Sequence, residues 1–322
     1  MIIFCYNYFT KLKRYLKKFW VDILIICLFY LISPNYLFSD SDIPKVLLIN
    51  SSYSVEKYKI VHEEFKKSLS FHIKEIDLEG KHIEDINMSE LKSTKPDLIY
   101  CIGSKAYSLA SYIFLDTNIV FSSIINCKRL RISPRIYGVA NELNNRMQIF
   151  IFRSIFPDIK KIGVPFSKKF SSEWLENAQQ EAKELEIEII SGEVTTEHSI
   201  LETIKSLFPK INALWLIADP LVMFDKSYLY KILELCDKQQ IPVFSYNEAF
   251  AELGAVLIVS ADEPTIGNQS AGIALEVLSG NKPDERIQFP AGSSITLNLK
   301  KTEEYKLEYN KNALGTINNI IK

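Results

Sequence analysis

The sequence lacks the short motifs that mark common enzyme sites. Its 322 residues contain no G-x-S-x-G elbow, P-loop, G-x-G-x-x-G or H-E-x-x-H, motifs that place a nucleophile, a phosphate or a zinc ion in a defined backbone setting. The few histidines fall on predicted helix faces, strand edges or loops, which indicates solvated or structural roles; they are His62, His72, His82 and His198. The absence of these motifs disfavours an enzyme. The fold class by itself does not exclude one, since many proteins with doubly wound α/β folds are enzymes.

An excess of charge of one sign is also missing. The chain carries 38 basic and 39 acidic residues, and without residues 1–39 its net charge is about −5. The two signs are interspersed, so the sequence has no basic patch that would hold a phosphate backbone. We therefore expect no nucleic-acid partner.

Cysteines are few and show no ligand spacing. Two of the five, Cys5 and Cys27, lie near the N-terminus, which leaves Cys101, Cys127 and Cys236. An odd number without C-x-x-C favours three thiols over a disulfide or a metal site. Pairing of Cys101 with Cys127 stays open as the alternative. We predict no metal and no cofactor.

A long apolar run is absent too. The run Ile23–Ile32 is ten residues long, short for a spanning helix of about 20 residues, and it follows a basic segment with Lys11, Lys13, Arg14, Lys17 and Lys18. This order of segments is typical of a secretory signal peptide, with cleavage after Ser39. Leu37 is bulky at a position where a small residue favours cleavage, so an uncleaved membrane anchor is an alternative. Lipidation of Cys27 is a weaker alternative. The sequence predicts export to the periplasm or cell surface.

From residue 43 onward, short apolar runs alternate with amphipathic helices. In the helix after the first strand, Tyr58, Val61, Phe65 and Leu69 recur at spacings of three and four and form one apolar face. Alternation of strand and helix predicts parallel sheets wound by crossovers. The predicted strands are 45–50, 73–78, 97–102 and 118–122 in a first series, and 161–165, 187–190, 213–218, 242–245 and 255–259 in a second.

The C-terminal elements are too few for a third domain. A helix at 265–278 and strands near 287–289 and 294–299 would return to the first lobe and then cross to the second. We therefore predict an α/β protein with two Rossmann-like lobes and a multi-strand hinge, suited to closing around a ligand. The predicted lobes are 44–141 with 262–290, and 142–261 with 291–322.

Ligands of open parallel sheets bind at the carboxyl ends of the strands. The residues at these positions form our predicted ligand site: Ser51, Ser52, Tyr53, Gly103, Ser104, Ser122 and Ser123 in the first half, and Phe166, Ser167, Asp219, Tyr246 and Asn247 in the second.

A ring of hydroxyl groups with one carboxylate suits a small polar or zwitterionic ligand. Helix N-termini favour a ligand carboxylate, and Asp219 is the predicted partner of an ammonium group. Each residue also has an ordinary structural alternative. The serines are alternatively helix caps, Asp219 a turn residue, and the tyrosines packing residues.

Several stretches in order resemble one known family. They include PDLIYCIGSKAYSLA from Pro96, FPDIKKIGVPF from Phe156, ALWLIADPLV from Ala213 and GNQSAGIALEVLSGNKPDE from Gly267. Together they resemble the ABC transporter substrate-binding proteins of the periplasmic-binding-protein type I fold over residues 44–300. In that pattern Gly103-Ser104, Ser122-Ser123 and Asp219 match ligand-site positions, whereas the stretches around Tyr246-Asn247 and Ser260 differ.

The resemblance implies a solute-binding protein of an ABC importer, with a permease and an ATPase as partners. Characterised members include binders of aromatic amino acids. A membrane-anchored sensing subunit that uses the same cleft is the alternative function.

Overall fold

The structure, a computed structural model, describes residues 44–130 and 132–322. The predicted export segment lies outside the described residues. Within the described ranges, no helix combines the length and the apolar character needed to cross a membrane.

The described chain alternates strands and helices along almost its whole length. The strands are Lys45–Asn50 (β1), His72–Asp77 (β2), Leu98–Ile102 (β3), Asn118–Ser122 (β4), Ile136–Val139 (β5), Lys161–Phe166 (β6), Glu188–Glu193 (β7), Ala213–Trp215 (β8), Val243–Ser245 (β9), Leu257–Ala261 (β10), Ile287–Gln288 (β11), Ser293–Asn298 (β12) and Asn319–Ile321 (β13). The α-helices are Glu56–Lys67 (α1), Met88–Ser93 (α2), Ser104–Ile113 (α3), Asn145–Ile155 (α4), Lys168–Glu184 (α5), Ile200–Leu207 (α6), Lys226–Lys238 (α7), Ala249–Glu252 (α8), Glu263–Leu278 (α9) and Leu299–Glu304 (α10).

The first sheet has the strand order β11-β5-β4-β3-β1-β2 and is parallel throughout. Its central strand β3 is buried along its full length, as expected where helices cover both faces of a sheet. The edge strand β2 is largely exposed. His62 on α1 is buried and holds this edge, because its Nε2 lies 2.7 Å from a Glu75 carboxylate oxygen.

The second sheet has the order β13-β12-β10-β9-β8-β6-β7. Its strands are parallel except where β12 runs antiparallel to β10. A tight aromatic group packs on this sheet, in which Phe152 contacts Trp215 and Phe244 at centroid distances of 5.0 and 4.8 Å. The second lobe thus has its own packed aromatic core.

The chain passes between the two sheets three times. After β5 it enters α4, which packs on α5 and β10. After β10 it returns through α9, which lies so close to α1 that a Cβ atom on Gly267 would be 2.7 Å from the Val61 carbonyl oxygen. After β11 it crosses again to β12. The predicted class, two parallel-sheet α/β lobes joined by several strands, is confirmed, while the lobe boundaries stay a proposal.

Candidate ligand-binding site between the lobes

A cavity of about 330 Å³ lies between the two lobes. The turn after β4 and the ends of β5 and β11 form one wall, and α5 with the loop after β8 forms the other. This volume is at the lower end of the range for small-molecule sites, about 300–1,000 Å³. The lining includes Asn126, Arg129, Glu142, Phe170, Glu173, Trp174 and Phe289.

A narrower recess of about 30 Å³ adjoins this cavity. Tyr246 and Ser260 belong to its lining. The two spaces have several lining residues in common: Glu142, Leu143, Trp174, Ile217 and Ala218. We call the two spaces together the interlobe pocket.

Glu142 supplies a carboxylate that lines both parts of the pocket. One of its oxygens accepts a hydrogen bond from the Asn126 backbone N–H. Burial raises the pKa of Glu142 above the usual value for a carboxyl group, while the Asn126 N–H and the nearby charge of Arg129 oppose this rise. Glu142 is therefore a partly buried acidic group next to the space that a ligand would fill.

Aromatic side chains give the pocket apolar walls. Trp174 lines both parts and packs edge-on against Trp215, with ring centroids 4.9 Å apart. Tyr246 lines the recess, and burial, followed by the charge of Glu142, raises its pKa to about 12. The Tyr246 hydroxyl is therefore neutral at physiological pH. Such walls suit the flat face of an aromatic ligand.

A short segment of the first lobe, residues 126–129, makes three contacts with the second lobe across the pocket. The Asn126 Nδ2 donates a hydrogen bond to the Ala218 carbonyl oxygen at 3.0 Å. The Arg129 guanidinium donates to the Phe170 carbonyl oxygen at 3.0 Å and lies 4.9 Å from the centroid of the Phe170 ring. Lys128 and Glu173 form a looser ion pair at 4.0 Å. This segment therefore bridges the lobes at the rim of the pocket.

Asp219, the predicted ammonium partner, has a different environment. Its side chain is fully buried and is not part of the pocket lining. Five donors surround its two oxygens, at 2.7–3.1 Å: the Ser167 backbone N–H and hydroxyl, the Ser171 hydroxyl, and the backbone N–H groups of Leu221 and Val222. A carboxylate has about four lone-pair positions, so none is left for a ligand. Asp219 anchors this loop, an environment that favours the turn-residue alternative over the predicted ammonium-binding role.

The predicted residues after β1 and β3 form a local structure of the first lobe. The Ser51 hydroxyl accepts a hydrogen bond from the Ala106 N–H at 3.0 Å and donates to the Ile102 carbonyl at 2.7 Å. Gly103 has φ +83°, and a Cβ atom there would lie 2.6 Å from the Ser51 Oγ. These contacts fix the start of α3, which agrees with the helix-cap alternative.

The other predicted residues also bond mainly to their neighbours. The Ser122 hydroxyl lies 2.7 Å from the Tyr100 hydroxyl, Tyr53 donates to Glu63 at 2.5 Å, and Asn247 caps the residues that follow it through the Ala249 N–H. Of the twelve predicted residues, the structure places Tyr246 in the pocket lining. It does not place the following residues there: Ser51, Ser52, Tyr53, Gly103, Ser104, Ser122, Ser123, Phe166, Ser167, Asp219 and Asn247.

Sequence reasoning missed the pocket residues Asn126, Glu142 and Trp174. Glu142 follows β5, a strand that we did not predict, and the rule of strand carboxyl ends would have pointed to it. Trp174 lies on the apolar face of α5, and an apolar helix face ordinarily indicates packing against a core. Asn126 gave no signal beyond being a turn former.

The three remaining thiols are not poised for chemistry. Cys101, Cys127 and Cys236 are free and buried. Burial raises the pKa of Cys127 and of Cys236 to about 12, so both stay protonated and unreactive near neutral pH.

Two comparisons place the fold among solved structures. The ABC domain from Streptococcus pneumonia in complex with L-Trp superimposes with a TM-score of 0.59 at 17% identity, covering 86% of this chain and 99% of that one. The ligand-free, open structure of a substrate-binding protein with adhesive properties from Clostridium difficile gives a TM-score of 0.66, also at 17% identity and with the same coverage. Both likenesses show the fold.

Sequence comparison identifies the family. A curated tyrosine-binding protein of Clostridioides difficile (strain R20291) is 24% identical over 201 residues, which are 60% of this chain and 57% of that protein. The chain thus matches little more than half the length of this relative. The model of the family described as ABC transporter substrate binding protein matches residues 65–320. Because that match covers most of the chain, the protein belongs to the ABC transporter substrate-binding proteins, a family of binding proteins and not of enzymes, as the sequence predicted.

Proposed function

We propose that this protein is the extracytoplasmic component of an ABC importer and that it captures an aromatic amino acid in the interlobe pocket by hinge closure. The observation that carries the proposal is the position of the Glu142 carboxylate beside Trp174 and Tyr246 in a pocket formed by both lobes. The names of the relatives support the ligand class, since one is a tyrosine-binding protein and another was solved with L-Trp.

The pocket offers a partner for each part of such a ligand. Glu142 pairs with the ligand ammonium as a charge-assisted hydrogen bond. Arg129, in the lining of the same cavity, retains guanidinium N–H groups for the ligand carboxylate. Trp174 and Tyr246 contact the ring. The arrangement favours a zwitterion with an aromatic side chain over a sugar, which has no charged groups to satisfy Glu142.

Closure follows from the way the chain connects the lobes. We propose lobes of 44–141 with 262–290 and 142–261 with 291–322, and the passages of the chain after β5, β10 and β11 support these limits. Three connecting segments act as a hinge, and a ligand that touches both lobes stabilises the closed arrangement. A permease and an ATPase would then receive the closed, loaded form. Export by the N-terminal segment completes the proposal.

Binding is measured through tryptophan fluorescence, since Trp174 and Trp215 line the pocket. The purified full-length chain is titrated with L-tyrosine and L-phenylalanine, and L-tryptophan is titrated by calorimetry. Two control ligands are titrated as well: glycine, which has the charges but no aromatic ring, and glucose, which has no charges. Saturable binding of at least one aromatic amino acid, at micromolar or tighter affinity, about −8 kcal/mol, is the expected result.

The variant Glu142→Gln tests the assigned anchor. Loss of a charged hydrogen bond should weaken aromatic amino-acid binding about tenfold to a hundredfold. Glu173→Gln is the matched control, because Glu173 lines the same cavity but is largely exposed, with only a 4.0 Å ion pair, and we expect less than a twofold change. Equal affinities for wild type and Glu142→Gln would remove Glu142 from the site, and failure of all three amino acids to bind would refute the ligand class.

A further inference from the structure

Asn126 occupies an unusual backbone conformation at the edge of the interlobe pocket. Its φ and ψ angles are 59° and 40°, in the left-handed region that asparagine enters more readily than most residues. It directly precedes the 3-10 helix Cys127–Arg129. This conformation directs the backbone N–H and the side-chain amide of one residue to two different partners.

The two partners belong to different segments that line the pocket. The backbone N–H donates to the Glu142 carboxylate, the proposed ligand anchor. The side-chain Nδ2 donates to the Ala218 carbonyl oxygen on the second lobe at 3.0 Å. One residue therefore holds the ligand-facing carboxylate and the opposite lobe at the same time.

The acceptor on the second lobe is rigidly held. Ala218 immediately precedes Asp219, whose buried carboxylate accepts hydrogen bonds from Ser167, Ser171, Leu221 and Val222. The Ala218 carbonyl is therefore part of a loop that is held in place, so the Asn126 hydrogen bond depends on the position of the whole second lobe. This gives the Asp219 network a role in the site without any contact to the ligand.

We propose that Asn126 is the positioning residue that couples ligand capture to lobe closure, by orienting Glu142 with its backbone and holding Ala218 with its side chain. The inference rests on the proposed function, because Glu142 is the assigned ligand anchor. Lys128 and Arg129 are the neighbouring bridges, but both are exposed, and exposed charged contacts contribute little. The partly buried Asn126 contact is the one expected to govern the lifetime of the closed state.

The substitution Asn126→Gly isolates the side chain. Glycine adopts the left-handed conformation without strain and keeps the N–H that donates to Glu142, so only the bond to Ala218 is lost. Gln240→Gly is the matched control, because Gln240 also has positive φ, at 51°, and lies just after the end of α7, outside the pocket lining. Both variants are made in the full-length chain.

Stopped-flow tryptophan fluorescence with L-tyrosine separates the rate constants. For Asn126→Gly we expect the dissociation rate to rise about threefold to tenfold, the effect of one hydrogen bond, with an association rate within about twofold of wild type. Gln240→Gly should change neither rate. A dissociation rate for Asn126→Gly equal to that of wild type overturns the proposal. An equal rise in the dissociation rate of Asn126→Gly and Gln240→Gly overturns it as well.

Hydrogen exchange measured without any ligand gives an independent readout. If Asn126 holds the lobes together, Asn126→Gly should increase deuterium uptake in peptides that cover residues 122–130 and 216–223, whereas Gln240→Gly should not. If wild type binds no aromatic amino acid, the proposed function fails on the titration, and the exchange data still decide the bridging role. Unchanged uptake in both peptides refutes that role whatever the ligand is.

Discussion

Two carboxylates in this protein show how the surroundings of a residue determine its role. Asp219 and Glu142 both follow strands, and both are partly or fully removed from water. Asp219 is enclosed by five donors from its own lobe. Glu142 interacts with fewer donors, the backbone N–H groups of Asn126, Asn141 and Glu142 itself, and it lines the interlobe pocket. A carboxylate with unused acceptor capacity is free to bind a ligand, and a saturated one is not.

Removing the Asp219 carboxylate should therefore lower stability. Asp219→Ala leaves buried donors such as the Ser167 N–H without a partner, and we expect the free energy of unfolding to fall by about 3 kcal/mol. The measurement is urea unfolding followed by circular dichroism. Asp225→Ala is the control, since Asp225 is an exposed cap of α7 and should cost much less. An Asp219→Ala protein of unchanged stability that fails to bind ligand would restore the role predicted from the sequence.

At the scale of elements, the spacing of apolar residues and the local composition were sufficient to predict most of the strands. The strands at 45–50 and 118–122 were predicted with their observed limits, because each is a continuous apolar run bounded by polar residues. β5 was missed because it has four residues, one of them Gly138, too few to show a pattern. Helix α5 begins at Lys168 and has a kink at Ser171, whose hydroxyl donates a hydrogen bond to Asp219, a contact that no local sequence pattern indicates.

The binding site was much less predictable than the elements. Most of the residues predicted at the carboxyl ends of strands form hydrogen bonds with the turns and helix starts beside them. Which residues of two lobes meet depends on the packing of the lobes against each other, and no local pattern encodes that distance. Glu142 follows a strand that was missed, and Trp174 lies on a helix of the other series, so the two became neighbours only in the structure.

The turn between β3 and α3 gives a prediction at this scale. Gly103→Ala should destabilise the protein for two reasons: its φ of +83°, and a Cβ atom 2.6 Å from the Ser51 Oγ. Gly80→Ala is the comparison, because Gly80 has φ +65° and an added Cβ atom there would have no neighbour within 4 Å, whereas the ψ angle of 165° at Gly103 adds a backbone cost of its own. We expect about 1–2 kcal/mol for Gly80→Ala and about 1–3 kcal/mol more for Gly103→Ala, measured by urea unfolding. Equal losses would show that Ser51 moves aside without cost.

For the whole molecule, the three connecting segments and the interlobe pocket suggest a simple relation between ligand and stability. The ligand binds the folded protein alone, so at a hundredfold excess over the dissociation constant it should add about 2.7 kcal/mol to the free energy of unfolding. In the proposed binding mode both lobes contact the ligand and Glu142 pairs with its ammonium group, so this stabilisation should depend on lobe closure and on the ionisation of Glu142.

In the protein without ligand, the Glu142 contribution to stability should have a pH dependence of definite sign. Burial raises the pKa of Glu142 in the folded state, so the folded protein holds this proton more tightly than the unfolded chain. The Glu142 contribution to stability therefore decreases as the pH rises from the ordinary carboxyl pKa through the raised one, and it is constant above and below that interval.

The affinity for ligand should depend on pH in the opposite direction and become stronger as the pH rises. This difference in sign separates ligand binding from the stability of the ligand-free protein. The ammonium pairs only with ionised Glu142, so the apparent dissociation constant for L-tyrosine should rise about tenfold for each pH unit below the raised pKa. Acidification thus removes the ligand stabilisation while it relieves the burial of the Glu142 charge. Thermal unfolding with and without L-tyrosine, across a pH series, measures both slopes. The Glu142 contribution to each slope is the difference between wild type and Glu142→Gln, because glutamine does not titrate. A wild-type affinity that stays constant as the pH falls well below neutrality would show that another group binds the ligand ammonium.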